Sequence, residues 1–140
     1  KEKPLLHEHT KSWPEPYVFE EIDYSPLKAL REHKGPCLLI DYGYEEKELY
    51  HPDRMLGSMI CIQKHKLIPF SLKTMGDYDI TCAVNWSEVT RVMHKMGYER
   101  TSFGTQADFL RYFLEHECQE SSPLVASHEM GQYIKVSEYL

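Results

Sequence analysis

Apolar and polar positions follow two rhythms along this chain. Unbroken or alternating apolar runs mark strands, and apolar residues recurring every three or four positions mark helices. Pro4, Pro14 and Pro16 interrupt any regular pattern at the start, which predicts an irregular N-terminal arm over 1–16 and a folded part over 17–140. Tyr17–Ile22 is a short strand pattern. Ser25-Pro26 predicts a helix start, Ser capping free N–H groups and Pro taking the first helical position, with Leu27 and Leu30 as the apolar stripe. Gly35-Pro36 ends that helix, and the run Cys37–Ile40 reads as a strand buried on both faces.

Polarity returns at Asp41-Tyr-Gly-Tyr44, and 45–57 reads as a loop broken by Pro52 and Gly57. Ser58–Ile62 is a further strand pattern, followed by an irregular stretch to Asp79. Asn85 with Glu88 three residues on forms a capping box, and Gly97 closes the helix it opens. Trp86, Val89, Val92, Met93 and Met96 fall on one face of it. Tyr98–Phe103 is a strand, Thr105 with Asp108 opens a third helix, and Tyr133–Tyr139 alternates as a last strand. Strands alternating with helices predict an α/β sheet with helical crossovers.

Composition narrows the class. With 140 residues, 41% of them hydrophobic, the chain is of single-domain size with matter for a core, so wholesale disorder is excluded. The net charge is −6 and no Lys/Arg block occurs, which argues against a nucleic-acid binder. No apolar run approaches a membrane span, and the start KEKPLLHEHT holds no signal-peptide core. The first residue is not Met, which fits a processed or partial chain. The four cysteines (37, 61, 82 and 118) form no C-x-x-C pair, so they read as thiols in a reducing compartment and not as a metal or disulfide framework.

Candidate chemistry gathers in the polar stretches. Asp41 follows a buried strand, where open α/β sheets bind ligands, and an Asp there equally suits a turn. Gly43 suits a turn or the close approach of a ligand to backbone. His51 carries an imidazole, which could act as base or ligand, though most loop histidines do neither. Asp77 and Asp79 sit two residues apart ahead of a helix, where acids also serve the helix dipole. His7-Glu8-His9 lacks the spacing of a metal-binding helix, and no metal site is expected. None of the seven glycines is arranged as G-x-G, so a nucleotide-binding loop is not among these residues.

Leu38-Leu-Ile-Asp-Tyr-Gly-Tyr44, Tyr50-His-Pro-Asp-Arg54, Gly57-Ser-Met59, His65, Asp79-Ile-Thr81, Val84-Asn-Trp86, Gly104-Thr-Gln106, Phe109-Leu110, Met130-Gly131 and Lys135-Val136 occur in that order. Together they resemble the C-terminal half of the MidA-like S-adenosylmethionine-dependent methyltransferases, a family that includes the mitochondrial arginine methyltransferase assisting complex I assembly. The resemblance covers about Tyr17 to Leu140. It implies the C-terminal part of a class I, Rossmann-like sheet, with Cys37–Tyr42 as strand five, Tyr98–Phe103 as strand six and Tyr133–Tyr139 as an antiparallel strand seven between them, with flanking helices. It implies S-adenosylmethionine as cofactor, bound by a glycine loop in the half not represented here, so this chain alone is not expected to bind it or to be active. No cofactor-binding residue is assigned.

By that resemblance Asp41 and His51 are catalytic candidates, and Tyr42, Gly43, Tyr44, Arg54, Asp79 and Thr81 substrate-binding ones. Asp41 and Asp79 would hold a cationic acceptor, the tyrosines would wall it and His51 would take a proton. Relatives carry His where this chain has Ala83. The resemblance implies a protein, arginine-directed substrate and a cytoplasmic bacterial or mitochondrial matrix setting, with no nucleic-acid or membrane partner. The alternative is a non-catalytic interaction module of the same fold. The edge of the Cys37–Ile40 strand is expected to be covered by a second copy, a partner chain or the Tyr17–Ile22 strand.

Overall fold

The computed structural model describes residues 20–33, 35–114, 124–126 and 134–140. The predicted arm over 1–16 and the residues 17–19 lie outside them. The chain divides into two compact units, one of residues up to Glu21 with Glu46–Ala83, the other of Ile22–Glu45 with Val84–Leu140.

The second of these units holds a four-stranded sheet. Its strands are β1 (Cys37–Tyr44), β5 (Val84–Asn85), β6 (Arg100–Thr105) and β7 (Ile134–Tyr139), in the order β5-β1-β7-β6. β7 runs antiparallel to both β1 and β6, with Cys37 opposite Tyr139 and Ile40 opposite Val136. The expected order of strands five, seven and six, with the seventh reversed, is therefore present. β7 is covered on both sides, and Ile134, Val136, Ser137 and Tyr139 are all buried.

Helix α2 (Trp86–Lys95) follows β5 directly. The Asn85 side chain accepts from Glu88 N at 3.1 Å, as the capping box predicts. At its other end Gly97, at φ 93°, lets Tyr98 N donate to Met93 O and Gly97 N to His94 O, a Schellman closure. Trp86, Val89 and Met93 are buried against Tyr98 and Tyr139, with Leu27, Leu30, Cys37, Leu39 and Phe103 packed around them. Helix α3 (Gln106–Leu114) lies against β6 and β7. Its start is a reciprocal cap in which Asp108 N donates to Thr105 Oγ1 and Thr105 Oγ1 to Asp108 Oδ2.

Two expectations are corrected. The first helix is a 3-10 helix over Ser25–Glu32, and Ser25 does not cap it. Ser25 N and Oγ instead donate to the Asp23 carboxylate, both at 2.8 Å, because Asp two residues upstream is the stronger acceptor. Those bonds hold the Asp23 carboxyl below its ordinary range. Residues 20–22 of the predicted Tyr17–Ile22 strand are irregular. Instead β5, the two residues preceding α2, pairs in parallel with β1 at Gly43 and Tyr44. Further back along that edge of β1 no strand of the described residues pairs, and Leu38, Ile40 and Tyr42 are about half exposed.

The other unit holds a three-stranded antiparallel sheet in the order β3-β2-β4, with β2 at Ile60–Gln63, β3 at Lys66–Ile68 and β4 at Asp79–Thr81. The stretch expected to be irregular thus contains β3. Lys64 and His65 make the turn between β2 and β3, both at positive φ (49° and 62°), as a two-residue hairpin demands. Neither is Gly or Asn, so the turn gave no sequence signal. Helix α1 (Glu46–Leu49) and a 3-10 turn over Pro52–Arg54 occupy the predicted loop 45–57. No helix among the described residues is long and apolar enough to cross a membrane.

Candidate functional site

The carboxyl end of β1 carries four of the candidates. Asp41 is exposed, and its Oδ1 accepts from Tyr42 N at 2.7 Å. Across the strand pair it faces Lys135, a favourable opposite-charge neighbour. Tyr42 is about half exposed and Tyr44 half-buried. Gly43 is buried, and its reason is local. A Cβ there would stand 2.8 Å from Trp86 Nε1 and 2.9 Å from Val84 Cβ, and nearer still to Val84 O. Glycine is what admits β5 and the Trp86 indole against β1.

Past Tyr44, Glu45 Oε1 meets Arg100 Nη2 at 3.0 Å, and the Arg100 guanidinium lies over the Phe103 ring at 4.8 Å. This pair carries no sequence signal, since 55 residues separate its members and neither belongs to a motif. Trp86 Nε1 and Arg100 Nη1 are buried donors with no acceptor among the described residues.

The remaining candidates lie in the other unit. His51 and Arg54 line one open cavity of about 600 Å³ with Lys47, Glu48 and Asp53. His51 Nδ1 stands 3.3 Å from both Asp53 N and Asp53 Oδ2. Accepting the N–H leaves the proton on Nε2; donating to the carboxylate leaves Nε2 as a lone-pair base oriented by an acid. Asp53, which the sequence did not single out, therefore decides what His51 can do. Arg54 Nη2 is 3.8 Å from Glu48 Oε1, a loose contact at an exposed site. Asp79 and Thr81 are exposed on one face of β4, level with Ile62 and Ile60 of β2.

The structure thus brings Asp41, Tyr42, Gly43 and Tyr44 together on β1, His51 and Arg54 in one cavity, and Asp79 with Thr81 on β4. Among the described residues no cluster of three or more His, Cys, Asp and Glu side chains could hold a metal. The end of β1 does not form a nucleotide-binding turn. The glycine of β1 is filled by Val84 and Trp86, and β1 leads into the acidic four-residue α1, not into a glycine turn and a long helix.

Solved structures of other proteins are similar to this chain. A crystal structure of a COG1565 superfamily member from Burkholderia thailandensis, bound to S-adenosyl-homocysteine, is 26% identical and superposes with a TM-score of 0.65, covering 75% of this chain and 31% of that one. A second COG1565 superfamily structure from the same organism, 23% identical with a TM-score of 0.69, covers 83% of this chain and 37% of that one, and bears on the fold alone. The chain therefore spans about a third of the length of either relative. No curated protein matches it. Residues 19–104 match the family described as "Putative S-adenosyl-L-methionine-dependent methyltransferase". With more than half of its length so matched, the chain belongs to this methyltransferase family.

Proposed function

We propose that the chain supplies the acceptor side of an S-adenosylmethionine-dependent protein methyltransferase of MidA-like kind, with arginine as methyl acceptor. The observation that carries this reading is the β1-β7-β6 order, with β7 reversed, in a chain whose family match over residues 19–104 takes in β1 and most of β6. S-adenosylmethionine is the family's methyl donor, and S-adenosyl-homocysteine, its demethylated product, is bound by the relative of 26% identity. Its binding is assigned to the portion of the longer relatives that this chain does not span.

Methyl transfer asks the acceptor side chiefly to position a nucleophile and, where needed, to take its proton. Asp41 offers an exposed carboxylate for a guanidinium, and Tyr42 lies beside it with its ring about half open. In the other unit Asp79 offers a second carboxylate, and His51, in the tautomer that donates to Asp53, offers Nε2 as a base. Each role has its own variant: Asp41→Asn, Asp79→Asn and His51→Ala, in protein extended to the relatives' full length. Transfer of labelled methyl from S-adenosylmethionine to protein is the readout, with acid hydrolysis to identify methylarginine. A loss of at least about tenfold is expected where a positioned acid or base is removed. Unchanged rates in all three sink the assignment of these residues, and label on another side chain sinks the arginine reading.

The exposed Leu38, Ile40 and Tyr42 on β1 support a second reading, a binding module of the same fold. Full-length protein with no transferase activity towards any protein of its source, yet sedimenting as a complex, would favour it.

A further inference from the structure

The turn Gly57–Met59 has the construction of a carboxylate receptor. Ser58 N lies 2.8 Å from Glu20 Oε1 and 2.9 Å from Oε2, Ser58 Oγ donates to Oε2 at 2.6 Å, and Met59 N donates to Oε1. Two consecutive main-chain N–H groups and one hydroxyl thus converge on a single carboxylate, the arrangement of a backbone anion nest. Gly57 stands at φ 75°, and a Cβ there would lie 2.7 Å from Glu20 Oε1. The glycine is therefore required twice, for the left-handed backbone that aims the N–H groups and for the room the carboxylate occupies.

The contact reaches further through Ser58. Its hydroxyl, having donated to Glu20, accepts from Ala83 N at 2.9 Å. Ser58 lies two residues before β2 and Ala83 two residues after β4, and Ile60 pairs with Thr81 at this end of the sheet. One carboxylate fixes the hydroxyl, and the hydroxyl fixes the chain leaving β4.

We propose that Gly57–Met59 is a carboxylate-binding site filled in cis by Glu20, and that this contact latches the end of the β2–β4 sheet on which Asp79 and Thr81 stand. The claim is independent of the methyltransferase reading, since it concerns which group fills a site and not what the sheet acts on. A receptor for carboxylates, once emptied, takes up a free one; a merely structural contact does not.

The test is chemical rescue in the 140-residue chain. Glu20→Ala removes the internal occupant, and its thermal midpoint should fall by about 5 °C or more on losing several charge-assisted bonds. Sodium formate at about 100 mM, compared with chloride at equal ionic strength, should restore at least about half of that fall. The parent chain and the Glu20→Ala/Gly57→Ala double variant should not respond. If Glu20→Ala does not fold, Glu20→Gln keeps the side-chain shape and removes the charge. The amide proton resonances of Ser58 and Met59 should then move upfield from their charge-bonded positions, with the Ala83 amide shifting alongside. A formate effect of equal size in parent and variant, no formate effect in a folded Glu20→Ala, or unmoved Ser58 and Met59 amides in Glu20→Gln would each overturn the proposal.

Discussion

Gly43→Ala is the sharpest test of why a glycine stands on β1. The added methyl would meet Trp86 Nε1 at 2.8 Å and Val84 Cβ at 2.9 Å, with Val84 O closer still. Val84 O belongs to a backbone hydrogen-bonded to β1, and Trp86 is only 2% exposed, so neither can swing aside. Overpacking of this kind costs about 1–3 kcal/mol. The β1–β5 pairing spans only two residue pairs, so a shift that relieves the clash also loosens it, at about 0.5–1.5 kcal/mol for each hydrogen bond lost. The sum is about 2–4 kcal/mol, a large share of the stability of a small domain. Urea unfolding in a Trp13→Phe background makes Trp86 the sole indole, so its fluorescence reports this core directly. Gly104→Ala is the matched control, because its Cβ would find no atom nearer than 3.9 Å. A loss below about 0.5 kcal/mol for Gly43→Ala, the range of an uneventful surface change, would refute the packing argument. Gly43 would then be a glycine kept for the approach of a ligand.

The same unit yields two more expected outcomes. Asn85→Ala removes the acceptor of Glu88 N and should destabilise by about 1–2 kcal/mol in the same urea assay, whereas Asn85→Asp, which keeps the acceptor, should lose less. Burial pushes the Tyr98 hydroxyl above its ordinary value of 10.0, the neighbouring Cys37 thiol adding to it, and the hydroxyl donates to His33 O at 2.8 Å and Leu30 O at 3.2 Å. A folded pKa above the unfolded one means that this stabilisation is whole below pH 10 and is lost as pH rises through the folded value. Chemical denaturation from about pH 8 to about pH 11 should therefore show an alkaline decline that Tyr98→Phe lacks, and equal slopes would contradict the assignment.

Local chemistry was legible at three helix ends whose partners are close in sequence. Asn85 and Glu88, Thr105 and Asp108, and Gly97 were readable as helix ends because each lies within one turn of what it bonds. The same logic failed at Ser25, where a stronger acceptor two residues upstream took the hydroxyl. The unbroken Cys37–Ile40 run and the alternation at the C-terminus located β1 and β7. Their adjacency and reversed sense came from the family resemblance, since nothing in either strand names its neighbour. Glu45 with Arg100, Glu20 with Ser58, and the filled space at Gly43 stayed invisible, each depending on residues 38 or more positions apart.

The candidate site divides along the same line. By itself the sequence determined that strands and helices alternate from Trp86 onward, that no G-x-G loop is present, and that Asp41, His51 and Asp79 are exposed-type residues in polar stretches. These follow from side-chain period and backbone freedom, which act over a few residues. Only the tertiary structure decided that Gly43 is occupied by Trp86 and Val84, and that Glu20 fills the turn before β2. A strand's partner, a carboxylate's donors and a glycine's neighbours are set by which distant segments pack together, and packing satisfies hydrogen bonds and volume without regard to distance along the chain.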